Sequence, residues 1–212
     1  MNETEGRGID METLKIWNDR PSDKQLQEIT ETLENGGTII IPTDTLYGIA
    51  CDCTNSKAIE KVCRLKGITP EKSTLSIICS DISMAAEYSR YGNDAFKLMR
   101  QLTPGPYTFI FKSATILPKA FKGRKTVGVR IPDAATPRMI AEALGRPLMN
   151  TSIEYDDKDY ARNPELIAER YAGLVDLVLL GEEGDTTPST IIEFTGRGPE
   201  ITRQGKGEPI GN

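Results

Sequence analysis

Leu26, Ile29 and Leu33 recur at the spacing of one helical face, and Ser22 ahead of them can cap the first turn. Residues 22–35 are therefore predicted to be a helix, stopped by Gly36-Gly37. The pattern then changes. Thr38-Ile39-Ile40-Ile41 is wholly apolar and β-branched, as in a strand buried on both faces of a mainly parallel sheet. Pro42 ends it and opens a polar loop through Gly48. Further helices are predicted over residues 55–66, 81–88, 93–101 and 136–144, and from Pro164, a good first helical residue after Asn163, to about Tyr171. Further strands are predicted over 75–79, 107–111, 126–131, 148–150, 174–180, 189–194 and 200–203. Helices alternating with strands, without repeats, imply an α/β fold on a twisted, open, mixed sheet with flanking helices. Residues 1–10 read as a flexible extension, with Met11 a candidate natural start, and 11–212 as a single domain.

Composition narrows the chemistry more than the fold. The chain has 212 residues, 38% of them apolar and 27% charged, which fits one soluble domain. No stretch approaches the roughly 20 apolar residues of a membrane span. The start, MNETEGRGID, lacks the basic and apolar regions of a secretory signal, so the expected address is the cytoplasm. There is no histidine, which excludes Ser-His and Cys-His hydrolases. Cys51, Cys53, Cys63 and Cys79 fit no common zinc spacing and are expected to be buried thiols, so no resident metal site is predicted.

Net charge is −5, but it is segregated. Ala95 to Pro132 contains no Asp or Glu and carries +8, from Lys97, Arg100, Lys112, Lys119, Lys122, Arg124, Lys125 and Arg130, leaving −13 on the rest. Such a segment can focus a positive field into a cleft, or simply solvate loops. Hydroxyls cluster where strands meet loops: Thr43 and Thr45 beside Asp44, then Thr108, Asn150-Thr151-Ser152, and Ser189-Thr190. Loops at strand ends are where open α/β sheets bind ligands, and hydroxyls with free backbone amides suit phosphate or carboxylate. Neither GxxxxGK[ST] nor GxGxxG is present, so a bound nucleotide is not held by either fingerprint.

The run Gly36-Gly37-Thr-Ile-Ile-Ile-Pro42-Thr43-Asp44-Thr45-Leu-Tyr47-Gly48 resembles the opening signature of the YrdC/YciO family. Lys66-Gly67, Thr103-Pro-Gly-Pro-Tyr-Thr108, Val127-Gly-Val-Arg130-Ile-Pro132, Asn150-Thr-Ser152, Pro188-Ser189-Thr190-Ile-Ile and Thr202-Arg203-Gln-Gly205 follow in family order, over residues 22–206. The resemblance implies a domain with a concave basic face that binds ATP or AMP, L-threonine and bicarbonate. It implies their union into threonylcarbamoyl-adenylate with release of pyrophosphate, for t6A modification of tRNA. Lys66 would be the catalytic phosphate-binding residue. Thr43, Tyr47, Arg130 and Ser152 would bind substrate, and Thr108, Ser152, Ser189 and Arg203 the nucleotide. Mg²⁺ would offset phosphate charge through Asp44 or Glu154.

Three positions depart from the synthase pattern. Lys-x-Arg ends in Ile68, Ser-x-Asn ends in Glu154, and Cys79 occupies the usual histidine position. These point to the YciO branch. Two functions follow. One is threonylcarbamoyl-adenylate synthesis. The alternative is a non-catalytic module gripping double-stranded RNA or tRNA through Lys112, Lys119, Lys122, Arg124 and Lys125.

Overall fold

The computed structural model describes residues 12–69, 75–114, 116–117, 121, 126–155, 158–194 and 198–210. The extension predicted over residues 1–10 lies outside them. Among the described residues the helices are α1 (Asp23–Glu34), α2 (Ser56–Leu65), α3 (Ile82–Tyr88), α4 (Asn93–Leu102), α5 (Ala135–Leu144), α6 (Lys158–Arg162) and α7 (Pro164–Tyr171). None of them is long and apolar enough to cross a membrane. The strands are β1 (Glu12–Lys15), β2 (Ile39–Ile41), β3 (Gly48–Asp52), β4 (Ser76–Ile78), β5 (Ser89–Arg90), β6 (Tyr107–Ser113), β7 (Thr126–Arg130), β8 (Leu148–Ser152), β9 (Leu177–Leu180), β10 (Thr190–Glu193) and β11 (Glu200–Arg203).

Local chemistry sets the boundaries. Ser22 and Gln25 form a capping box at the start of α1. Asn163 caps α7 through the amides of Glu165 and Leu166. The α/β expectation holds: the strands join in one open mixed sheet ordered β1-β9-β2-β3-β8-β4-β7-β6-β10-β11, with β5 beside β6. Four elements went unread in the sequence: strands β1, β3 and β5 and helix α6. Strand β1 is mostly exposed and shows no apolar alternation, and β3 follows directly on the polar loop.

The two sheet faces are covered unequally. One carries Ile40, Ile49, Ile77, Phe109, Phe111, Val129 and Met149, and packs against apolar residues of α2, α3, α4 and α7. The other carries Ile39, Ile41, Ala50, Ile78, Leu148, Leu177 and Leu179, and is covered by α1 and α5 through Ile29, Leu33, Ile140 and Leu144. That second core stops near β8 and β4. Beyond it, the same face of β7, β6 and β10 presents Arg130, Thr108 and Ile191 to an open hollow.

Candidate functional site

Strand alternation decides which side chains reach that hollow. Asn150 on β8 lies opposite Ser76 on β4, which lies opposite Gly128 on β7. Two residues along, Ile78 lies opposite Arg130. Thr108 on β6 pairs with Ile191 on β10, and Ile191 with Arg203 on β11. Arg203 reaches this row through an irregularity. The β10–β11 register shifts between Ile191 and Ile192, so Ile192 pairs with Ile201 while Ile191 pairs with Arg203. Ile201 packs on the core face, and simple alternation would send Arg203 the same way. The bulge re-aims it.

With Lys66 from the end of α2, Ser152 from the end of β8 and Ser189 just before β10, these residues line a hollow of about 340 Å³. No Asp or Glu is among its lining residues. Gly128 keeps the floor open, because a Cβ there would stand 3.1 Å from the Ser76 Cβ and 3.2 Å from the Thr108 Cγ2.

A buried hydroxyl pair joins Thr108 Oγ1 to Ser189 Oγ at 2.7 Å. Arg203 donates from Nε and Nη2 to the Ser189 carbonyl at 3.1 and 2.7 Å, and from Nη2 to Ser189 Oγ at 3.2 Å. Gly205 permits the close approach, since a Cβ there would lie 2.2 Å from the Pro188 carbonyl oxygen. Arg130 is buried; its Nη2 donates to Asp44 Oδ1 at 2.7 Å and to Thr45 Oγ1 at 3.0 Å. Asp44 Oδ2 also accepts from the Asp133 amide at 2.9 Å. Burial pushes the Arg130 guanidinium below its ordinary pKa; Asp44 opposes that push and Arg203 reinforces it. Arginine remains a cation under such shifts. The hollow thus combines cations with hydroxyls and presents neither carboxylate nor imidazole as a base. Its chemical capacity is to hold an anion of several oxygens and neutralise its charge.

Six of the residues singled out in the sequence, Lys66, Thr108, Arg130, Ser152, Ser189 and Arg203, meet in this hollow. Thr43 and Tyr47 do not line it. Thr43 borders an adjoining cavity of about 370 Å³, and its hydroxyl donates to the Leu46 carbonyl and accepts from the Thr45 amide. Tyr47 is buried; its hydroxyl donates to the Glu182 carbonyl and accepts from the Gly181 amide. The Arg130–Asp44–Thr45 contacts join the hollow to that adjoining cavity.

The acid-free segment contributes less than its length suggests. Among the described residues Arg130 is the one cation of this segment that lines the hollow, and Lys66 and Arg203 come from elsewhere in the chain. Lys112 borders a separate cavity with Tyr91 and Phe194. Lys119, Lys122, Arg124 and Lys125 lie outside the described residues.

The three departures all find structural roles. Ile68 packs against the larger core cluster, and Cys79 is fully buried within it. Glu154 forms an ion pair with Arg170 and does not line the hollow. With Asp44 committed to Arg130, neither carboxylate named for Mg²⁺ faces the hollow. Cys51, Cys53 and Cys63 are buried thiols, and burial pushes the Cys51 thiol well up.

One contact beside the hollow had no signal in the sequence. Lys206 donates to the Asp44 carbonyl at 2.7 Å across 162 positions and pairs with Asp185 at 2.8 Å. Burial alone would raise the Asp185 pKa. Lys206 and the amides of Thr187 and Thr186 outweigh it and hold the carboxyl at about 2. A depressed carboxyl stabilises the fold above its unfolded pKa of about 3.9, and that contribution fades as pH falls towards 2. Lys206→Met is expected to flatten this acid dependence, measured as the urea midpoint between pH 4 and pH 2.

Comparison with known proteins identifies the family and the fold. A family model named for Sua5, YciO and YrdC and described as "Telomere recombination" matches residues 31–205. The YciO protein of Escherichia coli (strain K12) is 33% identical over 193 residues, covering 90% of this chain and 93% of its own length. The crystal structure of E. coli YciO superposes with a TM-score of 0.86 at 32% identity, over 93% of this chain and 97% of that one. Sua5 of P. abyssi complexed with L-threonine shares the fold, with a TM-score of 0.81 at 21% identity over 92% of this chain and 57% of that one. Full-length HypF in its phosphate- and nucleotide-bound form does so at 0.72 and 17% identity, over 85% of this chain and 29% of that one. Family profile, sequence relatives and fold agree with one another, and the chain belongs to the Sua5/YciO/YrdC family.

Proposed function

We propose that the hollow binds ATP and L-threonine together and joins them with bicarbonate into threonylcarbamoyl-adenylate for tRNA t6A modification, releasing pyrophosphate. The observation that carries this reading is the convergence of Lys66, Arg130, Arg203 and three hydroxyls on one cavity without a carboxylate lining. Likeness to a threonine-bound Sua5 and a nucleotide-bound HypF supports both ligand classes. Lys66 and Arg203 hold phosphate oxygens; Thr108, Ser152 and Ser189 orient the sugar, phosphate or amino acid. The threonine ammonium and bicarbonate first form the carbamate, a C–N bond made with loss of water and release of one proton to solvent. The carbamate oxygen then attacks the α-phosphorus, a P–O bond forms, and the bond to pyrophosphate breaks. The protein positions the reactants and neutralises charge, and the attack on phosphorus needs no base, because the carbamate oxygen is already anionic. Mg²⁺ enters as the nucleotide's counter-ion. Ile68 supplies no second cation beside Lys66, so turnover is expected to be slow.

The test is a pyrophosphate-release assay with each substrate omitted in turn. Release that requires ATP, threonine and bicarbonate together supports the reading. Release indifferent to threonine, or none at millimolar substrates, contradicts it.

A further inference from the structure

The segment leaving β8 keeps its alternation past the strand end. Ile153 is fully buried, and its amide donates to the Tyr47 carbonyl at 3.0 Å. Glu154 turns outward to Arg170, whose guanidinium also lies 4.5 Å over the Tyr160 ring. Two anchors therefore fix the backbone immediately before Tyr155. Tyr155 lines the hollow, near enough to Arg203 for the two to interact electrostatically. It is the only aromatic among the hollow's lining residues. The residue is 41% exposed, and among the described residues its ring makes no contact with another ring.

The cations and hydroxyls of the hollow suit phosphate oxygens, and apart from Tyr155 its apolar lining, Ile153, Pro188 and Ile191, offers no aromatic face to a nucleobase. A planar base gains most from an exposed aromatic face, which every base can use. We propose that Tyr155 is the base-binding residue of this hollow, stacking on the base of a nucleotide whose phosphates lie against Lys66, Ser189 and Arg203. The assignment rests on the reading of the hollow as a nucleotide site. It gives Glu154 a positioning role: the bond to Arg170 holds the turn that presents Tyr155. Stacking reads a π face and not base edges, so adenine and guanine nucleotides bind with similar affinity.

The test is calorimetric titration of the full chain, its Tyr155→Ala variant and its Tyr155→Phe variant, with ATP and with inorganic tripolyphosphate as a probe lacking a base. Loss of one stacked base is expected to weaken ATP binding about tenfold in Tyr155→Ala. Tripolyphosphate affinity should stay unchanged, and Tyr155→Phe should match the wild type with both. Equal ATP affinity in wild type and Tyr155→Ala overturns the assignment and leaves the nucleotide site standing. So does an equal loss of both ligands, which would make Tyr155 part of the phosphate wall. A wild-type protein that binds no ATP overturns the assignment together with the reading beneath it.

Discussion

Arg130→Ala is expected to cost about 3–5 kcal/mol of folding stability, the usual penalty for removing one partner of a buried ion pair. The side chains of Arg130 and Asp44 are only 5% and 6% exposed. Without the guanidinium, the Asp44 carboxylate keeps one charge-compensating bond among the described residues, from the Asp133 amide. Thr45 Oγ1 loses a donor at the same time. Asp44→Ala should also be costly, because it strands the buried cation. The double variant should cost clearly less than the sum of the two, since neither charge is then left alone. Equilibrium urea unfolding of all four proteins measures this. A loss below about 1 kcal/mol in Arg130→Ala would show that water relieves the Asp44 charge and that the pair does not hold the Thr43–Tyr47 loop.

The second large effect falls on binding. Arg203→Ala is expected to weaken ATP binding roughly 10- to 100-fold, as a hydrogen bond to a charged group is worth about 1.5–3 kcal/mol. Arg203 acts twice: it lends its charge, and through Nε and Nη2 it clamps the Ser189 carbonyl and so sets the Thr108–Ser189 hydroxyl pair. Arg203→Lys should recover only part of the loss, because an ammonium cannot reproduce the planar fork. Stability should change little, since Arg203 is an exposed residue on the outermost strand. Calorimetric titration at fixed ionic strength checks the affinity. Unchanged binding in Arg203→Ala would place the phosphates elsewhere.

Much of this architecture was legible in the residue pattern. The helix read from Leu26, Ile29 and Leu33 between Ser22 and the glycine pair is α1, and the apolar run Ile39–Ile41 is the buried strand β2. Helix α6 was hidden because one short turn, Lys158–Arg162, carries too little periodicity to stand out from a polar loop. The hollow was legible in its residue types and less so in its geometry. Asn150 was read from its place at a strand end and lines the hollow, Ser76 opposite it went unread, and Arg203 arrives only through a bulge that no residue identity announces. Thr43 was read from its loop position, yet its hydroxyl serves the loop backbone. The charge run Ala95–Pro132 suggested one field. Folding instead set Arg130 against Asp44 and Lys112 beside a different cavity, because charge counts along a chain say nothing of which face a strand turns to the ligand.

Chemical-shift mapping of backbone amides during titration with ATP tests most directly whether the hollow is the ligand site. The account predicts saturable shifts at Thr108, at Asn150 through Ile153, at Ser189 through Ile191 and at Arg203. Shifts absent at millimolar ATP, or confined to residues far from these strand ends, would contradict it.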